Sequence, residues 1–236
     1  MWFDDLPPDS SWSSLWHSYV LCGNCGGIRH ASSVCPACGS PAPSSDPARV
    51  RLADGTEMEV PSALMGAEGR YEDWVYLKML EREWKRPLTD ADEFSAIPAT
   101  KRPAARGIIV LLFWSYFETR IERLLRESMR GIPGPIVEDL LRRYGSIGPR
   151  LDRLYGILFS STYWSDLTEL GFTSVSQLLQ NVHQSRNAFA HGQPEAITET
   201  LVADLVEALK DEHASWIAVF NKRASRRSGA APGIQP

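Results

Sequence analysis

"SVSQLLQNVHQSRNAFAHGQP", Ser174–Pro194, decides how the second half of the chain is read. Its apolar residues recur at helical spacing. At about 100° per residue, Val175, Leu178, Leu179, Val182 and Phe189 share one arc of about 100°. Thr173 or Ser174 can cap the start. Gly192 and Pro194 stop the helix near Ala190. A helix over Ser174–Ala190 is expected, with that arc turned to a core. Arg186 falls inside the arc, whereas His183, Asn187 and His191 lie outside it, roughly in line at i, i+4 and i+8. A core-facing guanidinium costs several kcal/mol unless paired. The stretch therefore demands a carboxylate from elsewhere.

Glu118 is the best candidate. It belongs to a long helix expected over Ala105–Met129, in which Val110, Trp114, Phe117, Ile121, Leu124 and Leu125 form the apolar arc. Glu118 lies within about 20° of that arc. Arg120, Arg123, Arg126 and Glu127 point away from it. An Arg186–Glu118 pair between two packed helices is thus expected, either as part of a site or as a purely structural ion pair. Arg186 and His191 are five positions apart, about 140° on an ideal helix. They converge only if the helix ends near Ala190–Gly192. The plain alternative for His191 is a helix C-terminal histidine interacting with the dipole. With twenty arginines and five histidines in 236 residues, chance supplies roughly 0.4 matches to such a spacing, so context must decide.

Helices are also expected over Arg70–Lys85, Ile136–Tyr144, Arg150–Phe159 and Glu195–Ala224. "GIPGP", Gly131–Pro135, separates the long helix from the next one. The fold class is mainly α, a helical bundle over residues 104–225. Residues 61–103 hold one helix and a connector with Pro87, Pro98 and Pro103. Residues 1–60 hold the cysteines and an alternating run around Asp54-Gly55 that reads as a β-hairpin. The tail, residues 226–236, reads as disordered.

All four cysteines lie in the first forty residues, as Cys22-Gly-Asn-Cys25 and Cys35-Pro-Ala-Cys38. Two thiolates two residues apart grip one metal from a tight turn, and two such turns complete a tetrahedral shell. Gly23, Gly26 and Gly39 let the backbone close around sulfur. The pattern resembles small zinc-ribbon modules of the form CxxCG…CPxCG, over about residues 18–40. One structural Zn²⁺ per chain is expected, its shell closed by Cys22, Cys25, Cys35 and Cys38. Two disulfides are the alternative, disfavoured in a cytosolic chain. His30 lies between the knuckles, but four cysteines make a histidine ligand unnecessary.

Composition is that of an ordinary soluble protein, with 43% hydrophobic and 23% charged residues. The longest apolar run, Ile108–Trp114, is far too short to span a membrane. The acidic start, "MWFDDLPPDSSW", does not read as a secretory signal, so the cytoplasm is the expected compartment. The net charge of −4 gives no bulk attraction to nucleic acid. Arg120, Arg123, Arg126, Arg130, Arg142, Arg143, Arg150 and Arg153 recur along two segments. The simplest reading of them is solvated helix faces with acidic partners at i±4.

"SRNAFAHG", Ser185–Gly192, resembles the Arg-x4–6-His signature of HEPN domains, and "FWSYFETRIERLL", Phe113–Leu125, resembles their first long helix, where an acidic residue accompanies the motif. The resemblance covers residues 104–224. It implies a metal-independent endoribonuclease, with RNA as substrate and a homodimer whose two motifs line one cleft. It also implies a toxin or anti-phage role, with an antitoxin or defence-system protein as partner. Arg186, Asn187, His191 and Glu118 would form the site. The other reading is a non-catalytic binding or regulatory module, with a structural Arg–Glu pair and a ribbon that docks another protein.

Overall fold

The computed structural model describes residues 19–30, 33–41, 48–51, 55–60, 71–88 and 97–225. The expected tail, the N-terminal stretch and Asp54 lie outside the described residues. The described chain is mainly helical, with two small antiparallel hairpins before the helices. In the first, β1 (Tyr19–Leu21) pairs with β2 (Ile28–His30), Val20 opposite Arg29. In the second, β3 (Ala48–Arg51) pairs with β4 (Glu57–Val60), Val50 opposite Met58. That pairing brackets Gly55, which takes φ +85°.

The helices are α1 (Tyr71–Lys85), α2 (Ile108–Ser128), α3 (Gly134–Arg143), α4 (Ile147–Pro149), α5 (Tyr155–Phe159), α6 (Tyr163–Glu169), α7 (Thr173–Ala190), α8 (Glu199–Glu207) and α9 (Leu209–Arg223). No helix is long and apolar enough to cross a membrane among the described residues.

α2 is the central element. Phe113, Phe117, Ile121, Leu124 and Leu125 on it are fully buried, and α1, α7, α8 and α9 pack around it. α3 starts two residues earlier than its apolar pattern suggests, because Pro135 is at home in a first turn, where its missing N–H costs nothing. The helix expected over Arg150–Phe159 contains a π-turn, Arg150–Leu154, in which the Tyr155 N–H reaches back to Arg150 O. The single helix expected over Glu195–Ala224 is divided. Ile197 is extended and fully buried, Thr198 caps α8 through a bond from Leu201 N–H (3.1 Å), and the chain breaks again at Ala208. α6 is not anticipated by apolar spacing. Thr162 caps it, accepting from Ser165 N–H at 3.1 Å.

Candidate functional site

The cysteines form two matching turns. Cys22 N–H donates to Gly27 O and Gly26 N–H to Cys22 O, both at 2.7 Å. Cys35 N–H donates to Ser40 O and Gly39 N–H to Cys35 O, both at 2.9 Å. Gly26 and Gly39 take φ of +71° and +72°, the left-handed conformation each turn requires. The four sulfurs lie within 4.8 Å of one another, with Cys22–Cys38 and Cys25–Cys35 separations of 3.7 Å. A disulfide would need about 2.05 Å. A tetrahedral metal about 2.3 Å from each thiolate puts sulfurs about 3.8 Å apart, so the cluster fits one ion. Gly27 N–H already points at Cys25 Sγ (3.3 Å) and Ser40 Oγ lies 3.2 Å from Cys38 Sγ. The Ser40 hydroxyl draws the Cys38 thiol down to about 6, while burial pushes Cys25 up to about 12. Arg29, buried, ties the second turn down by donating to Pro41 O at 2.5 Å.

The Arg-x4-His stretch occupies the end of α7. Burial fades along this helix. Val175, Leu179 and Val182 are buried, Arg186 and Phe189 half-buried, and Ala190 and His191 exposed. The last two turns therefore lie at the margin of the core, where Phe189 still packs against it, which corrects the core-facing placement of Arg186. A half-buried guanidinium keeps water and does not demand a carboxylate. Arg186 Nη1 donates to Asn187 Oδ1 at 3.1 Å. Glu118, half-buried, instead accepts from Trp114 Nε1 at 2.7 Å. No ion pair joins Arg186 to Glu118 among the described residues, so the expected pairing is replaced by these two local bonds.

The helix ends where the spacing argument requires. His191 is the C-cap; its N–H bonds to Asn187 O and Ala188 O, each at 3.1 Å. Gly192 takes φ +86°, its N–H reaching Phe189 O (3.0 Å), and Gln193 N–H reaches Ala188 O (3.1 Å). This is a Schellman ending. It leaves the His191 side chain exposed beyond the last turn.

Comparison with protein-family models, with curated proteins and with solved structures finds no significant match.

His183 is more than the flank residue its sequence position suggests. Its ring stacks on Trp114, centroids 4.9 Å apart and planes 1° from parallel. Burial, then the Arg186 charge, lowers its pKa against the opposing pull of Asp152 and Glu118. The indole N–H held by Glu118 and the imidazole stacked on that indole form a fixed ledge beside Arg186. A Trp-x3-Glu spacing on one helix face was the available signal.

The buried charges are elsewhere. Arg120, expected to point outward, is fully buried and paired with Glu212. Asp166, also fully buried, accepts from Tyr155 Oη, from Lys222 Nζ at 3.0 Å and from Arg223 Nε at 2.5 Å. Arg123 forks onto Asp73 at 2.7 and 2.9 Å, joining α1 to α2. Most other arginines of the two series are also paired: Arg126 with Glu122 and Glu138, Arg130 with Glu127, Arg142 and Arg143 with Asp139, and Arg150 with Glu122, while Arg153 is exposed. These pairs neutralise what sequence alone could pass for a basic stripe.

Proposed function

We propose that the chain is a HEPN-type endoribonuclease whose four-cysteine centre holds one structural Zn²⁺. The observation that carries the reading is the ending of α7. It presents Arg186 and Asn187, bonded to each other, on the last turns of a helix that a Schellman loop closes at His191. Two oxygens of an RNA phosphate can accept from the planar fork of a guanidinium, and among the described residues Arg186 gives one N–H, to Asn187 Oδ1. His191, exposed beyond the last turn, carries an imidazole that can take the 2′-OH proton. The 2′-oxygen then bonds to phosphorus and the P–O5′ bond breaks. The leaving oxygen takes a proton from a second histidine, which a second copy of the chain would supply. Arg186 stabilises the charge that builds on the phosphorane oxygens.

Zinc suits the thiolate set because four sulfurs close its shell and leave no open position for chemistry. The alternative, a binding module with a structural Arg186–Glu118 pair, draws no support from Glu118, which is bonded to Trp114. The HEPN resemblance extends this proposal to a cytoplasmic toxin or anti-phage effector with a protein antagonist or defence partner.

The test is incubation of the full chain with total RNA, without added divalent ions, beside Arg186→Ala and His191→Ala. Products with 2′,3′-cyclic phosphate and 5′-hydroxyl ends are expected from wild type only. Full cleavage by the His191→Ala protein would sink the proposal.

A further inference from the structure

The cysteine turns do not stand apart from the helices. Asn221, near the end of α9, engages both backbone polar groups of Ile28. Ile28 N–H donates to Asn221 Oδ1 at 2.6 Å, and Asn221 Nδ2 donates to Ile28 O at 2.7 Å. Gly27 has to be glycine for this approach. A Cβ there would lie 2.9 Å from Asn221 Oδ1 and 3.0 Å from Ala37 Cβ. Ile28 itself is buried in the core of the helical domain. A second hold lies further back on α9, where Tyr19 of β1 sits edge-on to His213, ring centroids 5.0 Å apart, and also to His30 at 5.5 Å. His213 and Asn221 are eight residues apart, about two turns, so one face of α9 carries both holds.

The same end of α9 also holds α6. Lys222 and Arg223 follow Asn221 directly and are the cations that neutralise buried Asp166. The cysteine turns have little core of their own. Their cluster comprises Cys22, Cys25 and Cys35, with Ala37 and Cys38 against it. So small a unit folds by binding metal rather than by burial. The last turn of a helix, by contrast, frays unless its groups are held.

We infer that the four-cysteine centre and the C-terminal turns of α9 form one metal-dependent clamp, with Asn221 as the coupling residue. Metal in the centre fixes Gly27 and Ile28. Asn221 reads that order and transmits it to the last turns of α9. Through Lys222 and Arg223 it reaches Asp166 and α6. The metal centre is thus a staple of the helical domain in cis, whatever chemistry α7 performs.

Hydrogen exchange on the full chain tests this, comparing Zn²⁺-loaded protein with protein stripped by a chelator. In wild type, stripping should speed exchange across residues 217–225 about tenfold or more, with a smaller rise in α6 and none in the middle of α2. In Asn221→Ala, residues 217–225 should exchange fast even when loaded, at unchanged metal stoichiometry, and stripping should add little. Should that variant fail to fold, Asn221→Asp keeps only the acceptor for Ile28 N–H and should respond between the two. Unchanged exchange at 217–225 on stripping wild type would overturn the inference. So would a wild-type response to stripping in either variant.

Discussion

Arg120 and Glu212 meet in the centre of the helical domain from positions 92 residues apart, with 0% and 2% of their side chains exposed. The Tyr116 ring lies 4.0 Å from the guanidinium carbon and Trp216 5.3 Å from it. Among the described residues Arg120 Nε and Nη1 meet no hydrogen-bond acceptor, and the aromatic faces are their neighbours there. Removing one charge leaves the other buried alone. Glu212→Ala or Arg120→Ala is therefore expected to cost about 3–5 kcal/mol, whereas a joint Arg120→Met, Glu212→Leu replacement should lie near wild type or above it. Urea denaturation midpoints decide this. A double variant as unstable as either single one would contradict it.

Asp166 sets an acid limit on stability. Burial alone would raise its pKa, but Arg223, Tyr155 and Lys222 outweigh burial and hold it at about 2. The unfolded value is about 3.9. The folded pKa is the lower one, so the contribution, about 2 kcal/mol, is present above about pH 4 and lost as pH falls towards 2. Asp166→Asn should remove it at neutral pH and flatten the stability curve in that window. His183 acts earlier. Its lowered pKa means stability falls as pH drops below about 6.5. His183→Gln should flatten only that upper window. Thermal unfolding followed across pH 2–8 separates the two (a range that spans both).

The ending of α7 and the cysteine turns were legible because each depends on residues adjacent in the chain. Gly192 and Pro194 announce a stop, and paired thiols with following glycines announce a knuckle. Burial on α2 was not legible in the same way. Glu118 lies about 20° beyond one edge of the apolar arc and Arg120 about 40° beyond the other, so the wheel favours Glu118, but it cannot say which flank another element covers. α9, nearly a hundred residues later, covers the Arg120 side and supplies Glu212. The docking of Ile28 on Asn221 spans 193 residues, and no local pattern encodes it. α6 could have been found. Thr162 as a cap, Asp166 in the first turn and Gly171 after the end are ordinary helix signals, but at seven residues the helix has no apolar period to display.

Glu118 should matter through Trp114 before it matters through Arg186. The indole N–H is 2.7 Å from Glu118 Oε1 and Trp114 is 1% exposed. Glu118→Ala leaves a buried donor unpaired, a cost of about 1–3 kcal/mol, while Glu118→Gln keeps an acceptor and should be nearly neutral. If Glu118 instead served as the counter-charge of Arg186, Gln would harm RNA cleavage as much as Ala does. Measuring stability and cleavage for both variants distinguishes the two roles. Equal, severe loss of activity in both, with Glu118→Gln stable, would restore the direct pairing.

Gly192 carries the geometry on which His191 depends. Its φ of +86° lies where side chains are strained, and a Cβ there would touch nothing within 4 Å. Any effect of Gly192→Ala is therefore backbone strain alone, about 1–2 kcal/mol. The helix relieves that strain by unwinding its Schellman bonds at Phe189 O and Ala188 O, or by extending one more turn. Either change redirects His191 relative to Arg186 and leaves the core of α2 and α7 untouched. Under the proposed function, Gly192→Ala should therefore lower RNA cleavage far more than its modest loss of stability explains. Gly192→Asn, which tolerates the left-handed conformation better, should recover much of the activity. Equal activity in all three proteins would show that the ending of α7 has no part in the chemistry.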